Sequence, residues 1–126
     1  MSSLDSIKII KQYIRNNHVF TLCTTRSLGD VWCANCFYWF DESQMRLVFL
    51  SEKKTRHAQM MQENLLVAGG ISTQEIAVSD LQGIQFTGSV ALLAGRHQRK
   101  KTLLFTLSCR ISRHPCAFMG ITITRN

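Results

Sequence analysis

The chain has 126 residues, 45% of them apolar, with a single proline and a formal charge of +7. That length holds one domain with its own core, and that composition excludes a disordered or fibrous chain. No apolar run approaches the roughly 18 to 20 residues of a membrane span, and Met1-Ser2-Ser3-Leu4-Asp5 lacks a basic region leading into an apolar stretch, so the reading is a cytoplasmic protein without membrane contact.

Leu4, Ile7, Ile10 or Lys11, and Ile14 recur near the helical period, with Ser2 or Ser3 as cap and Asp5 in the first turn, which predicts a short amphipathic helix ending near Asn16-Asn17. From His18 to Thr25 the residues are β-branched, aromatic or small, and Ser27-Leu28-Gly29-Asp30 supplies turn chemistry. Val31 to Phe40 is rich in aromatic residues and closes at Asp41-Glu42-Ser43-Gln44, after which Met45 to Ser51 alternates. Three consecutive strands in a meander are expected.

Residues 53 to 63 turn from basic to helix-forming, so a second helix is expected from near Thr55 to Asn64. Leu65 to Ile71 contains Gly69-Gly70, and Gln82 to Leu93 reads as a long strand with Gly83 and Gly88. Glycine within strands marks bulges, bends or close backbone approach, the corners a small barrel needs. The fold class is mainly β: a small β-barrel with flanking helices.

Ser51-Glu52-Lys53-Lys54-Thr55-Arg56-His57 lies where a strand ends and a helix begins. Free N–H groups and the helix dipole there favour an anion, and hydroxyl, ammonium, guanidinium and imidazole groups surround it, so a phosphate fits. A solvated charged loop in which Thr55 merely caps the helix is the other reading of the same residues.

Three segments carry a resemblance to a known family. Val31-Trp32-Cys33-Ala34-Asn35-Cys36-Phe37-Tyr38, Glu52-Lys53-Lys54-Thr55-Arg56-His57-Ala58-Gln59 and Gly83-Ile84-Gln85-Phe86-Thr87-Gly88 resemble the uncharacterised bacterial YhbP-like family, within the pyridoxamine 5'-phosphate oxidase-like split-barrel flavin-binding proteins. The resemblance covers residues 4 to 95. It implies a split β-barrel, a homodimer and flavin mononucleotide (FMN) as cofactor, with Ser51 and Thr55 giving hydroxyls to the phosphate. His57 stands where a lysine is usual, leaving Lys54 or Arg56 to supply the full charge. The flavin ring of such proteins lies across the second and third strands at a two-fold interface, which marks Asn35, Cys36 and Phe37. The implied functions are an FMN-dependent oxidoreductase of unknown substrate or a non-catalytic flavin- or nucleotide-binding module, since fold and turnover separate easily.

Other signals are weaker. Five cysteines without extracellular context predict free thiols. Cys33 and Cys36 have metal-pair spacing, with Cys109, His114 and Cys116 as further candidates, but residues three apart on a strand face opposite ways. No metal is expected. Cys23 reads as a small core residue and His18 as a boundary residue. Trp32, Phe37, Tyr38, Trp39 and Phe40 could stack on bases or flavin, and read mostly as core and subunit interface.

Residues 1 to 95 hold eight basic and all eight acidic residues, so the excess charge belongs entirely to residues 96 to 126, through Arg96, Arg99, Lys100, Lys101, Arg110, Arg113 and Arg125. This divides an incomplete split-barrel domain from a basic tail in which the helix and final strand of the family are not visible. Phe118 to Thr124 can be encoded so that a shifted frame reads Leu-Trp-Glu-Leu-Gln-Leu, like the family's last strand, and the tail is read as a frameshifted remainder of the same domain. Its basic residues make nucleic acid the lesser alternative partner, because clustered charge alone specifies no ligand.

Overall fold

The computed structural model describes residues 3–74, 77, 83–93, 102–109, 115–116 and 120–124. The basic cluster at Arg96 to Lys101 and Arg110, Arg113, His114 and Arg125 lie outside the described residues. The elements run α1 (Ser3–Asn16), β1 (Val19–Arg26), β2 (Asp30–Phe37), β3 (Trp39–Asp41), β4 (Arg46–Glu52), α2 (Arg56–Glu63), β5 (Leu66–Ser72), β6 (Gly83–Leu92), β7 (Thr102–Cys109), β8 (Pro115–Cys116) and β9 (Gly120–Thr124). Both helices and the strands up to β6 fall where periodicity and turn chemistry put them.

Seven strands form a path in the order β2-β1-β5-β6-β7-β4-β3, antiparallel throughout. The meander is corrected in one respect. Val31 to Phe40 does not pair with one neighbour along its length: up to Phe37 it pairs with β1, and from Trp39 it pairs with β4. Tyr38 is the changeover. Its N–H donates to the His18 carbonyl at 3.0 Å and its buried hydroxyl to the Ile14 carbonyl at 2.6 Å, while its ring edge meets Phe20. The two ends of the path are therefore consecutive in sequence, and the sheet curls into a split barrel.

Inside the curl, Phe20 packs edge-on against Phe49 at 5.2 Å between ring centres, and Phe49 stacks on Phe105 at 5.4 Å. Leu22, Leu47, Leu107 and Met61 complete this core, and α1 joins it through Ile10 and Ile14. Strand alternation explains the selection: Phe20, Leu22 and Thr24 of β1 are buried while Val19, Thr21 and Thr25 are exposed.

Residues after Gly95 do more than the sequence suggests. Thr102–Cys109 forms β7, which lies between β6 and β4 and buries Leu103, Phe105 and Leu107, a strand that the reading of residues 96 to 126 as a basic tail did not place. Its residues Leu103-Leu104-Phe105 are a short continuous apolar run, which carries no period-2 signal and does not by itself distinguish a strand from a helix segment. β9 pairs in parallel with the first half of β6, from Ile84↔Ile121 to Thr87↔Thr124.

Two glycines allow the close approach expected of barrel corners. A Cβ on Gly69 would lie 2.2 Å from the Thr21 carbonyl oxygen, and one on Gly88 would lie 2.3 Å from that of Ser108. The β1–β2 hairpin turns through Leu28 and Gly29, both at positive φ (67° and 72°), the pattern whose twist matches paired strands.

Candidate functional site

Alternation along β4 turns Leu47, Phe49 and Ser51 inward and Leu50 and Glu52 outward. Ser51 thereby carries a hydroxyl to the inner end of the strand, where it is 6% exposed. Shortly after it, α2 begins. Thr55 caps the helix, accepting from the Ala58 N–H at 3.4 Å and donating to the Glu52 carbonyl at 2.7 Å. The buried face of α2, Ala58, Met60 and Met61, ties the helix to the barrel, and Met60 meets the Thr24 hydroxyl of β1 at 3.6 Å.

The start of α2 returns His57 over Ser51, with its Nε2 2.9 Å from the hydroxyl. Cys36, inward-facing on β2, brings its Sγ within 3.9 Å of the same nitrogen. Burial pushes the Cys36 thiol up, partly offset by its hydrogen bond with Ser51, and burial pushes the His57 imidazole below its ordinary 6.5. Both shifts favour neutral forms. The group is thus a hydrogen-bonded thiol, hydroxyl and imidazole, not the thiolate–imidazolium pair of an activated nucleophile.

Arg56 leans the other way, along the same face of β2. Its guanidinium carbon lies 4.4 Å from the centre of the Trp32 ring, and its Nη2 donates to Asp30. Asp30 also accepts from Arg26, and these two guanidinium groups, Arg56 first, hold its carboxyl below the usual range. Asp30 is a functional candidate that sequence reasoning missed, since it reads as turn chemistry, and Trp32 reads in the sequence mostly as core or interface, with stacking on a base or flavin as the lesser reading. Strand parity carried the signal: residues 30, 32 and 36 share one face of β2. Lys54 is exposed, 3.6 Å from Glu52.

Ser51, Thr55, Arg56, His57 and Cys36 thus gather around the start of α2. Asn35 and Phe37 do not join them. They occupy the outer face of β2, where Asn35 accepts from the Thr21 hydroxyl at 2.8 Å and Phe37 is 75% exposed. Cys33 is likewise on the outer face, opposite to Cys36, and its neighbour is Cys23 at 3.2 Å between sulfurs. Cys23 is half-buried beside that thiol, which corrects its reading as a core residue. Of the aromatic run, Tyr38 is buried and Phe40 packs on the core, whereas Trp32, Phe37 and Trp39 are exposed. Among the described residues no three His, Cys, Asp or Glu side chains are grouped to hold a metal. Among the same residues no helix is long and apolar enough to cross a membrane.

Such a site can receive an anion. Helix geometry leaves the Arg56 and His57 N–H groups without intrahelical partners. The dipole favours negative charge there, and Lys54 and Arg56 supply cations. A phosphate must draw Arg56 from Asp30, or bind beside it.

No protein-family model matches the chain. It is 43% identical over 95 residues to UPF0306 proteins of Yersinia pseudotuberculosis and Yersinia pestis, a match covering 75% of this chain and 64% of theirs. The chain thus spans less than two thirds of the length of these curated relatives. Its fold is similar to that of HutZ, the heme storage protein of Vibrio cholerae (TM-score 0.71, 13% identity, 83% of this chain and 90% of that one). It is also similar to an FAD-binding protein of Mesorhizobium loti (TM-score 0.65, 12% identity, 86% and 88%). On a split-barrel fold, the chain is a homologue of the UPF0306 (YhbP-like) proteins.

Proposed function

We propose that the chain binds FMN, with the phosphate at the start of α2, as a cytoplasmic homodimer. What carries this reading is the meeting of Ser51 and His57, 2.9 Å apart, at the N-terminus of an eight-residue helix bearing Lys54 and Arg56 on its approach. The residues fit a phosphate dianion: hydroxyl and N–H donors converge, and the nearby carboxylates Glu52 and Asp30 are each already paired with a cation. Similarity of fold to an FAD-binding protein supports a flavin as the class of ligand.

In this reading Ser51, the Arg56 and His57 N–H groups and the Lys54 ammonium bind the phosphate, and Arg56 adds a planar donor fork. A bound dianion favours the imidazolium form of His57, opposing the effect of burial. Asn35 and Phe37 offer an amide and an aromatic face on the outer side of β2, where the ring of a dimer-bound flavin meets them only if it reaches that face. Flavin, when bound, supplies hydride or electron transfer. Exposed Phe37, Trp39 and Leu50 (75%, 60% and 48%) give the dimer an apolar surface to cover.

Titration of the purified chain with FMN, monitored by flavin fluorescence and visible absorbance, tests the proposal. Saturable binding with riboflavin at least tenfold weaker supports it, and equal affinity for the two removes the phosphate site. Substrate-dependent reduction of bound flavin then separates an oxidoreductase from a carrier, and light scattering reads the oligomeric state.

A further inference from the structure

Cys23 and Cys33 are directly opposed in the β1–β2 hairpin, at the register position between Leu22↔Ala34 and Thr24↔Trp32. Directly opposed residues of an antiparallel pair have Cα atoms about 4.5 or 5.5 Å apart, and both separations fall within the span a disulfide bridges. The sulfurs are already 3.2 Å apart, one thiol donating to the other. Cys33 is exposed, Cys23 is half-buried, and both lie on the outer face, away from Cys36. The pair is flanked by Ala68, which opposes Cys23 from β5.

We infer that Cys23 and Cys33 form a reversible dithiol–disulfide site for small-molecule disulfides of the glutathione class, independent of the cofactor reading. The exposed Cys33 thiolate attacks one sulfur of the oxidised disulfide, forming a mixed disulfide and releasing one thiolate. Cys23, losing its proton, attacks Cys33 Sγ, and the second thiolate leaves. The two protein thiols give up two electrons and two protons, and the small disulfide becomes two thiols. Cys33 goes first because it is open to solvent, whereas burial, then the hydrogen bond with Cys33, push the Cys23 thiol up to about 11. The second step is fast because the sulfurs are held together. Oxidation staples β2, the terminal strand of the seven-strand path, to β1, and so fixes the hairpin that carries Trp32 and Cys36 on its inner face.

The test uses the full reduced chain, oxidised glutathione, intact mass and alkylation under denaturing conditions. The expected product has lost two hydrogens, carries no glutathione, shows three of five cysteines free, and yields a Cys23–Cys33 linked peptide reversed by dithiothreitol. In Cys23→Ser the glutathione adduct persists on Cys33, and in Cys33→Ser the link is lost, with circular dichroism checking that each variant is folded. A persistent Cys33 adduct in the unsubstituted chain, a disulfide between two copies, a link through Cys36, Cys109 or Cys116, or no reaction at any glutathione ratio each overturns the inference.

Discussion

The Nε2 of His57 and the hydroxyl of Ser51 are 2.9 Å apart, one residue on the second helical position of α2 and the other at the inner end of β4. Ser51 is buried, and its removal leaves the His57 Nε2 with only the weak contact to the Cys36 thiol at 3.9 Å. Ser51→Ala is expected to lower unfolding free energy by about 1 to 3 kcal/mol, read by urea denaturation, and to weaken FMN binding.

Burial holds the His57 pKa below 6.5, so between its folded value and 6.5 the unfolded chain binds more protons than the folded one. Stability therefore rises with pH across that window and is lost as pH falls from 6.5 towards the folded value. Denaturation midpoints measured from pH 5 to 8 are expected to show this step, and His57→Gln to flatten it. Asp30 and Asp41, both held below 3.8 by partners, add their own loss only in stronger acid.

Arg56 shares its guanidinium between Asp30 and the Trp32 ring. As the pair is half exposed, Arg56→Ala should change stability little but weaken FMN binding about tenfold or more, through loss of a charge-assisted hydrogen bond. Asp30→Asn frees Arg56 and is expected to tighten FMN binding. Fluorescence titration reads both, and tighter binding by Arg56→Ala would reverse the assignment.

Gly69→Ala puts a methyl 2.2 Å from the Thr21 carbonyl oxygen and 2.7 Å from the Phe86 ring. The backbone oxygen belongs to a paired strand and cannot turn aside. A loss of about 1 to 3 kcal/mol is expected in chemical denaturation.

Strand β7 makes the chain beyond Gly95 open to measurement. Phe105, stacked on Phe49 and 1% exposed, should cost about 3 to 5 kcal/mol when changed to Ala. Thermal and urea unfolding measure it, and an unchanged midpoint would mean that β7 contributes nothing to the core. For the frameshift proposal the coding sequence decides: a second frame that continues the family's last strand without stops is the expected result.

Local chemistry in the sequence was enough for both helices, the hairpin turn at Leu28-Gly29, five strand segments and the family segments, because caps, turn residues and alternation act over a few neighbours. It also drew Ser51, Thr55, Arg56 and His57 together, since they succeed one another through one strand end and one helix start. Tertiary structure alone decided that Val31 to Phe40 changes partner at Tyr38, that Thr102–Cys109 enters between β6 and β4, and that Arg56 rests on Trp32 and Asp30. The physical reason is the same for each. Strand partners and the neighbours of a long side chain depend on how the sheet curls, and that is set by contacts among residues far apart in the chain.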